Sequence, residues 1–116
     1  MLAGMRLEGS CHCQAVRFRV EAPSPVPYMR CYCSICRKAG TGGYAINLGA
    51  WHETRKISGE DRIAVTQIND PGCARHFCRD CGTMLWVWDE RWPELMHPFA
   101  SAIDSDLAAA SSMLSQ

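Results

Sequence analysis

Eight cysteines stand out as the chemically active residues of this 116-residue chain. Seven fall into three tight groups, Cys11-His12-Cys13, Cys31-Tyr32-Cys33-Ser34-Ile35-Cys36 and Cys78-Arg79-Asp80-Cys81, and the eighth is Cys73. Spacings of one or two residues put neighbouring sulfurs on one turn facing one point, which suits a metal ion better than a disulfide framework. The segment Met1-Leu2-Ala3-Gly4-Met5-Arg6 lacks the apolar stretch of a secretion signal, and no apolar run approaches the roughly 18 residues of a membrane span. The expectation is a cytoplasmic protein without a membrane partner, in a compartment that keeps thiols reduced.

The groups differ in what they can hold. Cys11 with Cys13, and Cys78 with Cys81, each offer two thiolates, and pairing them closes a tetrahedral zinc site that staples an N-terminal strand to a late one. Gly82 directly after the second pair permits the turn such a knuckle needs. The middle group, Cys31, Cys33 and Cys36, supplies three thiolates and leaves a coordination position for water or a substrate, where Lewis-acid chemistry becomes available. Arg30, Arg37 and Lys38 flank it, favouring ionised thiols and offering partners to a substrate carboxylate. The spacing leaves three alternatives open. The middle group could take a distant fourth ligand such as Cys73 or a histidine, it could share an ion with Cys78 or Cys81, or cysteines could hold an iron–sulfur cluster instead.

A frame must position these sulfurs, and the length allows one domain with one core. Residues 15–21 alternate, with Val16, Phe18 and Val20 against Arg17, Arg19 and Glu21, as a half-buried strand does. Three prolines within residues 23–27 make an extended surface connection. Strand-length segments follow at 28–32, 44–48, 55–58, 63–67 and 74–77, separated by Gly, Asp, Asn or Pro signals, while 34–38 is long enough for a single helical turn. Residues 83–88 are apolar on both faces and predict a strand covered on both sides. Residues 97–103 predict a last strand, and the Ala/Ser-rich 105–116 a frayed or weakly helical tail. The sum is an all-β domain over 7–104 with little helix.

Twelve basic residues balance twelve acidic ones, which argues against a nucleic-acid partner. The charge is uneven, with a net +5 in residues 1–58 and −5 in 59–116, so a small anionic ligand would favour the first half. His97, beside Pro98 and Phe99, is the best candidate for a pocket acid or base. Trp51, Trp86, Trp88 and Trp92 read as core, and Cys73, an odd number of residues before Cys78, as a buried unligated thiol on the opposite strand face.

Three ordered motifs carry a family likeness. Gly9-Ser10-Cys11-His12-Cys13-Gln14-Ala15-Val16-Arg17-Phe18, then Cys31-Tyr32-Cys33-Ser34-Ile35-Cys36-Arg37-Lys38, then Phe77-Cys78-Arg79-Asp80-Cys81-Gly82-Thr83 resemble the glutathione-dependent formaldehyde-activating enzyme family, which includes centromere protein V. The resemblance implies a tent-like zinc-binding fold of small antiparallel sheets with cysteine knuckles. It implies two zinc ions per chain, a structural one on Cys11, Cys13, Cys78 and Cys81 and a labile catalytic one on Cys31, Cys33 and Cys36. It also implies a carbon–sulfur lyase that adds glutathione to formaldehyde, giving S-(hydroxymethyl)glutathione; the residues themselves make Arg37, Lys38 and His97 the expected substrate contacts. The alternative is a non-catalytic two-zinc module that binds protein; the oligomeric state stays open.

Overall fold

Alternating side chains in the first hairpin set the architecture. β1 (Met5–Ser10) runs antiparallel to β2 (Arg17–Ala22), and β2 turns Phe18, Val20 and Ala22 inward while Arg17 and Arg19 face solvent. The computed structural model describes residues 5–23, 28–40, 42–67, 72–107 and 113–115. Next along the chain come β3 (Tyr28–Cys31), α1 (Ser34–Ala39), β4 (Ala45–Asn47), β5 (Ala50–Trp51) and β6 (Lys56–Ser58). They are followed by β7 (Ile63–Thr66), β8 (Cys73–Cys78), β9 (Met84–Asp89), β10 (Leu95–Pro98) and β11 (Met113–Ser115). Three small sheets result, in the orders β1-β2-β6, β5-β10-β9-β8-β7 and β11-β3-β4, and every pairing but β11 with β3 is antiparallel. The described residues form an all-β fold with one six-residue helix and three short 3-10 turns.

The core lies between the first sheet and the five-stranded one. Leu7, Val16, Phe18 and Val20 pack with Leu85, Trp86 and Met96, and the Phe18 ring meets the edge of Trp86 at 5.1 Å between centroids. β9 sits in the middle of its sheet, and a bulge where its pairing with β8 shifts lets Leu85, Trp86 and Val87 all be buried. The strand covered on both sides is therefore observed.

Other expectations are revised. The predicted strand over 97–103 begins earlier, at Leu95, and stops at Pro98; Ala100–Ala102 then closes a 3-10 turn, with the Ala102 amide donating to the Phe99 carbonyl at 2.9 Å. Of the four tryptophans only Trp86 is fully in the core, whereas Trp51 and Trp92 are exposed. The proline connection over 24–27 and residues 108–112 and 116 of the tail lie outside the described residues; residues 113–115 run as β11 beside β3.

Gly9 shows how tightly the first hairpin is seated. A Cβ there would collide with the Phe18 ring and lie 2.7 Å from the Ala102 carbonyl oxygen. Gly9→Ala should therefore cost about 1–3 kcal/mol of stability through overpacking, seen as a lower urea midpoint; a variant as stable as the parent would show that the hairpin can move away.

Candidate metal centres

Two loops meet to make the first centre. At the end of the β1–β2 hairpin the Cys11 amide donates to the Val16 carbonyl at 3.0 Å, and the Val16 amide donates to Cys11 Sγ at 3.2 Å. Gln14 takes a positive φ of 68° and ties its side-chain amide to the Cys11 carbonyl at 3.0 Å, which folds the C-x-C tightly. After β8, the Gly82 amide donates to the Cys78 carbonyl at 2.7 Å, and Gly82 takes a φ of 81° that a side chain would resist. Thr83 joins the loops: its hydroxyl accepts from the His12 amide at 3.0 Å and lies 3.1 Å from Cys81 Sγ. The sulfurs of Cys11, Cys13, Cys78 and Cys81 all fall within 4.8 Å of one another.

Distances and protonation both suit a metal ion. Four sulfurs at ~2.3 Å from a tetrahedral ion are about 3.8 Å apart, and Cys11–Cys13 and Cys13–Cys78 are separated by 3.6 and 3.8 Å. Thiols this close compete for protons. Hydrogen bonds from the Thr83 hydroxyl and from the Cys13 and Thr83 amides bring Cys81 down to about 5. Cys13 is pushed up to about 12, its neighbours outweighing the hydrogen bond from the Ala15 amide. A divalent cation removes this competition by favouring the ionised form of all four. No cystine is present among the eight cysteines.

The second centre forms where β3 runs into α1. Cys31 ends the strand, and Cys33 caps the helix, its sulfur accepting from the Cys36 amide at 3.4 Å. Cys36 points inward, 1% exposed, while Cys33 is exposed and Cys31 intermediate. The three sulfurs lie within 4.8 Å of one another, and among the described residues no fourth His, Cys, Asp or Glu joins them. Burial pushes the Cys36 thiol up to about 12, against the pull of Arg75, whose Nη2 donates to Cys36 Sγ at 3.3 Å.

Arg37 and Lys38 stand exposed on α1, and Lys38 lines a cavity of about 520 Å³ between the helix and the sheet. A second cavity of about 420 Å³, running past Tyr44 and Phe99, shares Ala39, Gly82 and Met84 with it. His97 lines neither; its Nδ1 lies 3.1 Å from the Leu48 carbonyl. Cys73 joins neither sulfur cluster and lines the larger cavity, on the face of β8 away from Cys78. Sequence reasoning missed Thr83 and Arg75. The signal for Thr83 was its place right after the C-x2-C-G turn; that for Arg75 was the one formal charge on β8.

A small β domain built around two cysteine clusters, each fitted to hold a metal ion, is the class these features define. The chain belongs to the family of glutathione-dependent formaldehyde-activating enzymes, matching it over residues 6–114. A Halomonas elongata protein, described as "Putative glutathione-dependent formaldehyde-activating enzyme", is 60% identical over 109 residues, covering 89% of this chain and 69% of that protein. The crystal structure of a Rhodobacter sphaeroides protein has the same fold, with a TM-score of 0.73 at 24% identity over 96% of this chain and 98% of that one.

The sulfur geometry predicts that metal-free protein takes up two equivalents of Cd²⁺ per chain, followed by thiolate-to-metal absorption in the near ultraviolet. Saturation at one equivalent would mean that only one cluster is a metal site.

Proposed function

We propose that this chain is a zinc enzyme joining a small thiol, glutathione by its family likeness, to formaldehyde or a similarly small electrophile. The observation that carries the reading is the unequal sulfur count: four cysteines in one cluster and three in the other, the latter beside a cavity. Soft thiolate donors in tight turns suit Zn²⁺. Cys11, Cys13, Cys78 and Cys81 would hold a structural ion, and Cys31, Cys33 and Cys36 a labile one.

At the three-cysteine position zinc supplies Lewis acidity, which lowers the pKa of a coordinating thiol or polarises a carbonyl oxygen. The reaction forms one carbon–sulfur bond. The sulfur pair attacks the carbonyl carbon, the carbonyl π pair moves to oxygen, and oxygen takes up the proton the thiol gave away, so no oxidant or reductant is needed. Run in reverse, it is a carbon–sulfur lyase step. Cys36, buried beneath α1, would fix the cluster, while the more exposed Cys31 and Cys33 leave the approach open. Arg37 and Lys38, in the last turn of α1, would attract an anionic thiol by long-range charge.

Cys33→Ser should keep the fold by circular dichroism, bind one zinc instead of two, and lose catalysis of hydroxymethyl-thiol formation followed by ¹³C NMR. Cys78→Ser should unfold the chain, since a structural zinc contributes on the order of 10–16 kcal/mol. Global unfolding of Cys33→Ser would reverse this division of labour, and two zinc ions unresponsive to thiol would favour a non-catalytic module.

A further inference from the structure

The function above leaves unused a cation at the floor of the 520 Å³ cavity. Arg75 on β8 is 7% exposed, and its guanidinium is divided between two tasks. Nη2 donates to Cys36 Sγ at 3.3 Å, whereas Nη1 is buried with no hydrogen-bond partner among the described residues. A buried guanidinium is costly unless its charge is matched and its N–H groups are satisfied. The described residues lining the cavity bring a second cation, Lys38, and the hydroxyls of Ser34 and Thr66, but no acid. The volume lies in the range of small-ligand sites, and a guanidinium fork is matched in shape and charge by a carboxylate.

We propose that Arg75 anchors the carboxylate of a small ligand in this cavity, with Lys38 closing over it, and so selects thiols that carry a carboxylate a few bonds from sulfur. The short reach follows from geometry: the same guanidinium that would hold the carboxylate already touches Cys36, so the ligand's anionic end sits next to the three-sulfur cluster. Arg75 is thus a specificity residue for the thiol. The selection of thiols rests on the function proposed above; the anion site itself does not.

Calorimetric titration of zinc-loaded protein with three probes separates the two. 3-Mercaptopropionate carries thiol and carboxylate, 2-mercaptoethanol the thiol without the charge, and 3-(methylthio)propionate the carboxylate with a blocked sulfur. The parent protein should bind 3-mercaptopropionate about tenfold or more tightly than 2-mercaptoethanol, the factor a charge-assisted hydrogen bond provides. Arg75→Gln should erase that ratio with the zinc count and fold unchanged, and Arg75→Lys should keep part of it. Equal binding of the two thiols by the parent, an undiminished ratio in Arg75→Gln, or loss of zinc from that variant would overturn the proposal. If Arg75→Gln does not fold, a full parental ratio in Arg75→Lys overturns it instead. Arg75-dependent binding of 3-(methylthio)propionate without binding of either thiol would keep the anion site and sink the thiol-adding function; thiol binding indifferent to the carboxylate would do the reverse.

Discussion

Mutual repulsion among sulfurs is the constraint around which the fold is organised. Cys11, Cys13, Cys78 and Cys81 come from loops more than sixty residues apart, yet their sulfurs share a space 4.8 Å across. Four ionised thiols would not tolerate that approach, and thiols packed this closely push one another's titration in opposite directions, Cys13 up and Cys81 down. A doubly charged ion would resolve the conflict and convert it into cohesion. The ~5–15 kcal/mol net stability of a domain this size is no larger than what one such ion contributes. The cluster accordingly sits at the junction of the two sheets that make the core, where Cys11 and Cys78 are themselves buried among its apolar residues.

The second cluster uses the same ligand in a different setting. It belongs to α1 and to β3, which pairs with β4 and β11 rather than with the sheets of the main core. A helix of six residues, capped by one of the ligands and ended by the Gly40 amide on the Cys36 carbonyl at 2.8 Å, has little cohesion of its own. Its anchor is the buried Cys36. Loss of an ion here would loosen a flap, whereas loss of the other would release the core; the difference lies in what each sulfur set is attached to.

Much of this was legible in the residues because sulfur spacing and strand alternation are local signals. Val16, Phe18 and Val20 lie inside as their period of two demanded, and the cysteine groups paired in space as their ligand count suggested. Elements with no local signal escaped. β1 ends in Gly-Ser, β5 is two residues long, and the end of β10 at Pro98 is fixed by a 3-10 turn, which apolar patterning does not reveal. Trp51 and Trp92 are exposed although tryptophan is usually buried, because burial depends on which sheet covers which face. The role of Arg75 is equally non-local: a charged residue among apolar neighbours reads as an exposed strand position until α1 is known to cover that face.

β8 makes the two centres one device. Cys78 and Arg75 are three residues apart, so the alternation of a strand sends them to opposite faces. On one face Cys78 enters the four-sulfur cluster and the core; on the other Cys73, Arg75 and Phe77 line the cavity under α1. The strand is held at both edges, by β7 and β9, and at 7% exposure the guanidinium is confined between that sheet and α1. The strand thereby ties the setting of the three-sulfur cluster, whose own helix is short, to that of the four-sulfur one. A cation whose position is fixed this way can discriminate by shape as well as by charge, which a lysine on a solvent-facing helix cannot.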